Sequence, residues 1–142
     1  VAQYLSRISG PLMDRIDLAI DVPAVAASDL LMPAPREGSA EVAVRVAAAR
    51  ERQRARFEAL GQPDILTNAA APAALLDEIV KPDGAGQKLL RDAADAMRLT
   101  ARGYHRVLKV ARTLADLDGE EKVARLHLAE ALSYRSRVSE TV

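Results

Sequence analysis

Cysteine and tryptophan are absent from this chain, and one Phe and three Tyr make up the whole aromatic complement of its 142 residues. Without cysteine there is no disulfide framework and no thiolate metal site. The scarcity of aromatics leaves an apolar set of mostly Ala, Leu and Val, which suits thin helical layers better than a large sheet core. Net charge is also missing, because 20 Lys+Arg face 20 Asp+Glu. Composition therefore excludes strong autonomous nucleic-acid binding, which is driven by phosphate neutralisation, but it does not exclude a local basic patch. No run approaches the ~18 apolar residues of a membrane-spanning helix. The start, Val1-Ala2-Gln3-Tyr4, has no Met, charged leader or cleavage segment, so the chain reads as a piece of a longer protein without a targeting signal. Cytoplasmic residence is the default expectation. The 49% hydrophobic content is enough to build a core in one domain and argues against global disorder.

The pattern along the chain is mainly helical. A short helix over 1–8 is expected to close at Ser9-Gly10-Pro11, followed by a turn at 12–15. Ile16, Leu18, Ile20 and Val22 alternate with Asp17 and Asp21, and this period of two predicts a strand over 16–22. A lone strand needs partners from elsewhere. Prolines at 23, 33 and 35 with Gly38 mark a connector. Ser39 is placed to cap a helix reaching Leu60, with Gly61 as its stop and Val42, Val46, Ala49, Gln53 and Phe57 near one face. Further helices are expected over 72–80, 85–98, 101–117 and 120–135, with a frayed tail beyond. Thr100 is the expected cap of the fourth helix, flanked by Leu99 and Tyr104 as a hydrophobic staple.

Catalytic motifs are lacking. There is no G-x-x-x-x-G-K-[ST], H-E-x-x-H or G-x-S-x-G. Gly84-Ala85-Gly86-Gln87-Lys88 imitates a phosphate loop but has neither its spacing nor a preceding strand, so it reads as a helix start. His105 and His127 lie on different expected helices, as packing or solvated residues rather than metal ligands. What stands out is arginine. Arg98, Arg102, Arg106, Lys109 and Arg112 occur with no acid among them. At helical spacing the first four form one stripe, opposite Tyr104, Val107, Leu108, Ala111 and Leu114. Such a stripe is either a solvated face or a face that contacts phosphate or DNA, since guanidinium forks bind phosphate oxygens bidentately.

Three blocks carry a resemblance: Tyr4-Leu5-Ser6-Arg7-Ile8-Ser9-Gly10-Pro11-Leu12-Met13-Asp14-Arg15-Ile16-Asp17-Leu18, then the run 100–117, then His127 to Arg135. Together with 44–53 and Asn68 they resemble the magnesium-chelatase-like AAA+ ATPases of the ComM type, across nearly the whole chain. The resemblance implies a helical lid of four to five helices at 39–137, preceded by a core fragment at 1–24 and a connector at 25–38, with 138–142 as tail. It implies a ring, a hexamer by expectation, whose ATP sits between subunits and whose phosphate loop and Mg2+-binding acid lie upstream of Val1. By the same resemblance Arg15 is an arginine finger acting on the neighbouring subunit, with Arg7 as the weaker alternative. Arg102 is a second sensor on its own subunit's nucleotide, and Arg98, Arg106 and Lys109 are possible phosphate or DNA contacts. The implied parent drives DNA branch migration in natural transformation. The chain alone is expected to bind no nucleotide or metal and to be inactive. A chelatase motor subunit that drives magnesium insertion into porphyrin, and a helical binding module without ATPase coupling, remain as alternatives.

Overall fold

Residues 15–26, 31–33 and 37–139 are described in the computed structural model, with side chains through Arg135. The expected helix over 1–8, the turn residues 12–14, Arg7 and the tail beyond Ser139 lie outside the described residues. The described part is mainly helical, as expected: α1 (Ser39–Ala59), a 3-10 turn (Asn68–Ala70), α2 (Ala73–Val80), α3 (Gly84–Ala96), α4 (Ala101–Asp118) and α5 (Arg125–Ser139). None of these helices is long and apolar enough to cross a membrane.

Local chemistry sets the helix ends. Thr100 Oγ1 accepts the Gly103 N–H at 3.0 Å and starts α4, with Leu99 and Tyr104 half-buried against the core. Asp83 does the same for α3, accepting the Gly86 N–H at 2.7 Å, so the Gly84–Lys88 stretch is a capped helix start. For α1 the cap is Gly38 and not Ser39. The Gly38 N–H donates to Glu41 Oε2 at 2.9 Å, and Ser39 is the first helical residue. Three helices close with the same double hydrogen bond. In α1, Gln62 N–H donates to Phe57 O at 2.8 Å and Gly61 N–H to Glu58 O at 3.0 Å. Glu120 and Gly119 repeat the pattern at the end of α4, as do Leu99 and Arg98 at the end of α3. The residue at the bend has positive φ each time: 70° at Gly61, 79° at Gly119 and 48° at Arg98. Arg98 therefore closes α3 and does not belong to the α4 stripe in which the spacing places it.

Helix α4 is central, packing against α1, the 3-10 turn, α2 and α5, while α5 also covers α3. Its Val107, Leu108, Ala111 and Ala115 are buried together with Phe57, Leu76, Val80, Leu90 and Leu128. Close approach of α3 to α5 requires Gly86, because a Cβ there would stand 2.9 Å from Leu128 Cδ1.

The expected strand over 16–22 does not form. No strand occurs among the described residues, and 16–26 run as irregular chain. Ile16, Leu18, Ile20 and Val22 are 36%, 48%, 66% and 88% exposed. Alternation selects a strand only when a neighbouring strand accepts its hydrogen bonds, and here the segment meets helix ends instead. Likewise Val42 and Val46 are exposed, since α1 meets α4 only through its second half, where Ala49, Gln53 and Phe57 are buried. The last helix starts at Arg125, five positions later than the spacing suggests.

That late start comes from a buried polar cluster. Asp116 is fully buried, and its carboxylate faces two guanidiniums. Arg56 binds both its oxygens, through Nη2 to Oδ1 and Nη1 to Oδ2, the latter at 3.1 Å. Arg112 Nη2 pairs with Oδ1 at 3.0 Å. Asn68 Nδ2 donates to Oδ2 at 2.8 Å and to Thr113 Oγ1 at 3.0 Å, and the Asn68 N–H donates to Gln53 Oε1 at 3.1 Å. Arg112 spends its other hydrogen bonds on the Glu121 and Glu120 carbonyls, both at 2.6 Å. Those carbonyls are thereby turned inward, and residues 120–121 cannot continue as helix. Burial lowers the Arg112 pKa from its ordinary value, with Asp116 opposing that shift and Arg56 adding to it. Its guanidinium stays charged all the same.

A buried pair stripped of one partner leaves an uncompensated charge. Asp116→Ala is therefore expected to cost about 3–5 kcal/mol in urea unfolding of the 142-residue chain. Arg45→Ala, which breaks an exposed pair with Glu37, should leave the midpoint in place. Equal effects of the two changes would refute the central role of Asp116.

Candidate functional site

A groove of about 670 Å³ runs along α4 and is walled on one side by the extended segment at Asp17 and Leu18. Leu76, Val110 and Leu114 supply apolar lining, and Arg102, Arg106 and Lys109 add cations. Spacing explains the grouping: 102, 106 and 109 recur at helical intervals, as the sequence suggests. Their engagements differ, however. Arg106 Nη1 pairs with Asp17 Oδ1. Lys109 Nζ donates to the Ala69 carbonyl at 2.8 Å, tying α4 to the 3-10 turn. Arg102 is exposed and makes no hydrogen bond or ion pair among the described residues. Arg98, outside the groove, is exposed at the end of α3.

Arg15 is likewise exposed, with no partner among the described residues. Asp17, the obvious acid for it, is held by Arg106. The two histidines part company. His105 lines the groove, its ring edge-on to Tyr104 with centroids 5.9 Å apart. His127 is buried and works as a local cap: its Nδ1 accepts the Ala124 N–H at 2.9 Å, and its Nε2 lies 3.2 Å from Asp118 Oδ2. Since Nδ1 accepts, the ring proton of the neutral form sits on Nε2.

The comparisons with known proteins bear on the whole chain. Residues 36–135 match the family profile described as magnesium chelatase, subunit ChlI C-terminal, and residues 1–30 match that of magnesium chelatase, subunit ChlI. The chain belongs to the magnesium chelatase ChlI C-terminal family. It is 38% identical over 139 residues to the competence protein ComM of Haemophilus influenzae, covering 97% of this chain and 26% of that protein. It is 38% identical over 135 residues to the uncharacterized protein YifB of Escherichia coli, covering 94% of this chain and 25% of that protein. The uncharacterized protein Rv2897c of Mycobacterium tuberculosis is 38% identical over 133 residues, with 94% and 26% covered. The chain thus spans about a quarter of the length of these relatives.

Within this family region, spacing alone did not find Arg112, Asp116 or Arg135. Arg112 reads as part of a basic run, yet an acid follows it at i+4, the spacing of a helical ion pair. Arg135 ends the third resembling block and is buried, with Nη1 donating to the Ile16 carbonyl at 3.0 Å. Nothing in the local sequence signals a partner 119 positions away.

Burial lowers the Lys109 pKa from its ordinary 10.5, nearby Arg106 lowers it further, and Asp17 opposes both. The folded chain therefore holds this proton less tightly than the unfolded one. The contribution of Lys109 to stability then rises as pH climbs through the lowered value toward 10.5. Titration of the Lys109 ε-methylene by NMR should give a midpoint below the ordinary lysine value, and Arg106→Gln should move it upward. A midpoint at or above the ordinary value would contradict this electrostatic picture.

Proposed function

We propose that this chain is the C-terminal part of a ComM-like AAA+ ATPase motor that works as a hexameric ring in the cytoplasm. In this reading Arg15 reaches the γ-phosphate of ATP held by the neighbouring subunit, and Arg102 contacts the phosphates of its own subunit's ATP. The observation that carries the reading is that these two guanidiniums have no partner among the described residues, beside an Arg106 and a Lys109 that are both engaged. Phosphoryl transfer is catalysed mainly by positioned cations around spreading negative charge, so arginines held on helix starts and turns suit it. ATP enters as substrate. Mg2+, whose ligands the resemblance assigns to acids upstream of this chain, would neutralise phosphate charge when bound. DNA branch migration in natural transformation is the task this reading gives the parent, and what supports it is that the Haemophilus influenzae relative is named a competence protein. The family's own description favours a second reading, a chelatase motor subunit serving magnesium insertion into porphyrin. Stimulation of the parent's ATPase by branched DNA favours the first reading, and dependence on a porphyrin-binding partner favours the second.

In the full-length parent, Arg15→Ala should leave nucleotide binding nearly intact while hydrolysis falls by about 10³ or more. Mixing it with a subunit disabled in its phosphate loop should restore some activity, where an intact finger faces an intact pocket. Arg102→Ala should lose affinity as well as turnover and should not be rescued in this way. Equal rescue of both variants, or normal turnover in Arg15→Ala, sinks the assignment.

The 142-residue chain by itself should bind duplex or single-stranded DNA only weakly at physiological salt, because it carries no net charge. Submicromolar affinity in a fluorescence anisotropy titration at that salt would show instead that the lid is a DNA-binding element.

A further inference from the structure

One buried side chain touches the neighbours of both proposed arginines. Arg135, on α5, is only 5% exposed. Its Nη1 donates to the carbonyl of Ile16, the residue after Arg15, at 3.0 Å. The same guanidinium lies against Gly103, the residue after Arg102, where an added Cβ would stand 3.4 Å from Nη2 and 3.8 Å from Cζ. Two more contacts hold the segment. The Ala19 N–H donates to the Tyr134 carbonyl at 3.3 Å, and Asp17 pairs with Arg106, one helical turn beyond Arg102. Residues 16–19 are thus strapped to the start of α4 and the end of α5 at three points. Movement of residues 16–19 relative to α4 and α5 together must break one or more of them.

Burying a guanidinium is expensive unless its hydrogen bonds return the cost. A Leu or Met would fill the space on α5 without that expense but could not reach the Ile16 carbonyl across the start of α4. We propose that Arg135 is a positioning residue that couples the second sensor to the finger. Arg102 settling on its own subunit's nucleotide shifts the first turn of α4. Arg135 and the Asp17–Arg106 pair carry that shift to residues 16–19 and so to Arg15, which is presented to the neighbour. This inference rests on the roles given above to Arg15 and Arg102. It adds a direction of communication around the ring, from a subunit's own pocket to its neighbour's, which is a coupling free energy between two sites.

The test uses the full-length parent with Arg135→Met, the conservative Arg135→Lys, and Asp17→Asn, which loosens the same segment from its exposed side. Thermal unfolding reports folding, a fluorescent ATP analogue reports nucleotide affinity, and steady-state hydrolysis gives kcat and the Hill coefficient. Arg135→Met should lower kcat roughly 10- to 100-fold, as misplacement of a catalytic group by about 1 Å does. Nucleotide affinity should stay within about twofold, and the Hill coefficient should fall toward 1. Arg135→Lys should recover part of the loss, and Asp17→Asn should show the same pattern more weakly. Combined with Arg15→Ala, neither Arg135→Met nor Asp17→Asn should slow hydrolysis further, because each acts through Arg15. Parental kcat and cooperativity in folded Arg135→Met, or multiplicative losses in the combined variants, overturn the proposal. Should Arg135→Met not fold, Asp17→Asn and its combination with Arg15→Ala give the same decision. A slow Arg15→Ala beside a normal Arg135→Met and Asp17→Asn removes the coupling alone, whereas normal turnover in Arg15→Ala removes the finger and the coupling together.

Discussion

The Asp116 carboxylate is the group on which the remaining geometry depends. It is fully buried near the end of α4, where the helix dipole is negative and where an anion gains nothing from the backbone. Cations make the site tolerable. Arg56 arrives from α1 and Arg112 from one turn back on α4, while Arg52 Nη1 donates to the Asp116 carbonyl at 3.1 Å. One carboxylate against two paired guanidiniums leaves a surplus positive charge. The carbonyls of Glu120 and Glu121 and the Asn68 amide oxygen absorb it as hydrogen-bond acceptors. The cluster ties together α1, the 3-10 turn, α4 and the loop leading into α5.

From there a chain of dependence reaches the groove. Arg112 fixes residues 120–121 as non-helical, so α5 begins at Arg125. The His127 cap and the buried Val123 then set where α5 lies across α4 and α3. That placement puts Arg135 against Gly103 and beneath the Ile16 carbonyl. Had α5 started at Glu120, its register would be five residues out, and a different face would meet Gly103. The position of Arg15 therefore follows from hydrogen bonds made at the opposite end of α4.

Much of the helical framework was legible because its signals are local. Thr100, Gly61 and Gly119 act within four residues of themselves, and the apolar stripe of α4 needs only the helical period. What was not legible depends on distant partners. The alternation over 16–22 is a true period of two, but among the described residues no strand lies beside it to accept its hydrogen bonds. Arg98 fits the spacing of the α4 stripe, yet the Thr100 cap separates it from that helix and gives it the left-handed bend of α3 instead. Val42 and Val46 continue the apolar face of α1 beyond the reach of α4. Arg112 is identical in kind to Arg106 and differs only in having Asp116 one turn away and two carbonyls folded back onto it. For the site the division is similar: spacing grouped Arg102, Arg106 and Lys109 correctly, but only tertiary structure shows which of them already has a partner.

That distinction bears on how a chain with no net charge can still present a local row of cations. Arg102 and Arg106 stand at i and i+4, where two like charges repel. Asp17 pairs with Arg106 and so weakens that repulsion. The same pairing occupies Asp17, the one carboxylate lining the groove among the described residues. Lys109 is anchored on the Ala69 carbonyl, and burial lowers its pKa from the ordinary value. The groove thus combines Arg102, without a partner among the described residues, with an Arg106 whose charge Asp17 compensates and a Lys109 held on a backbone carbonyl.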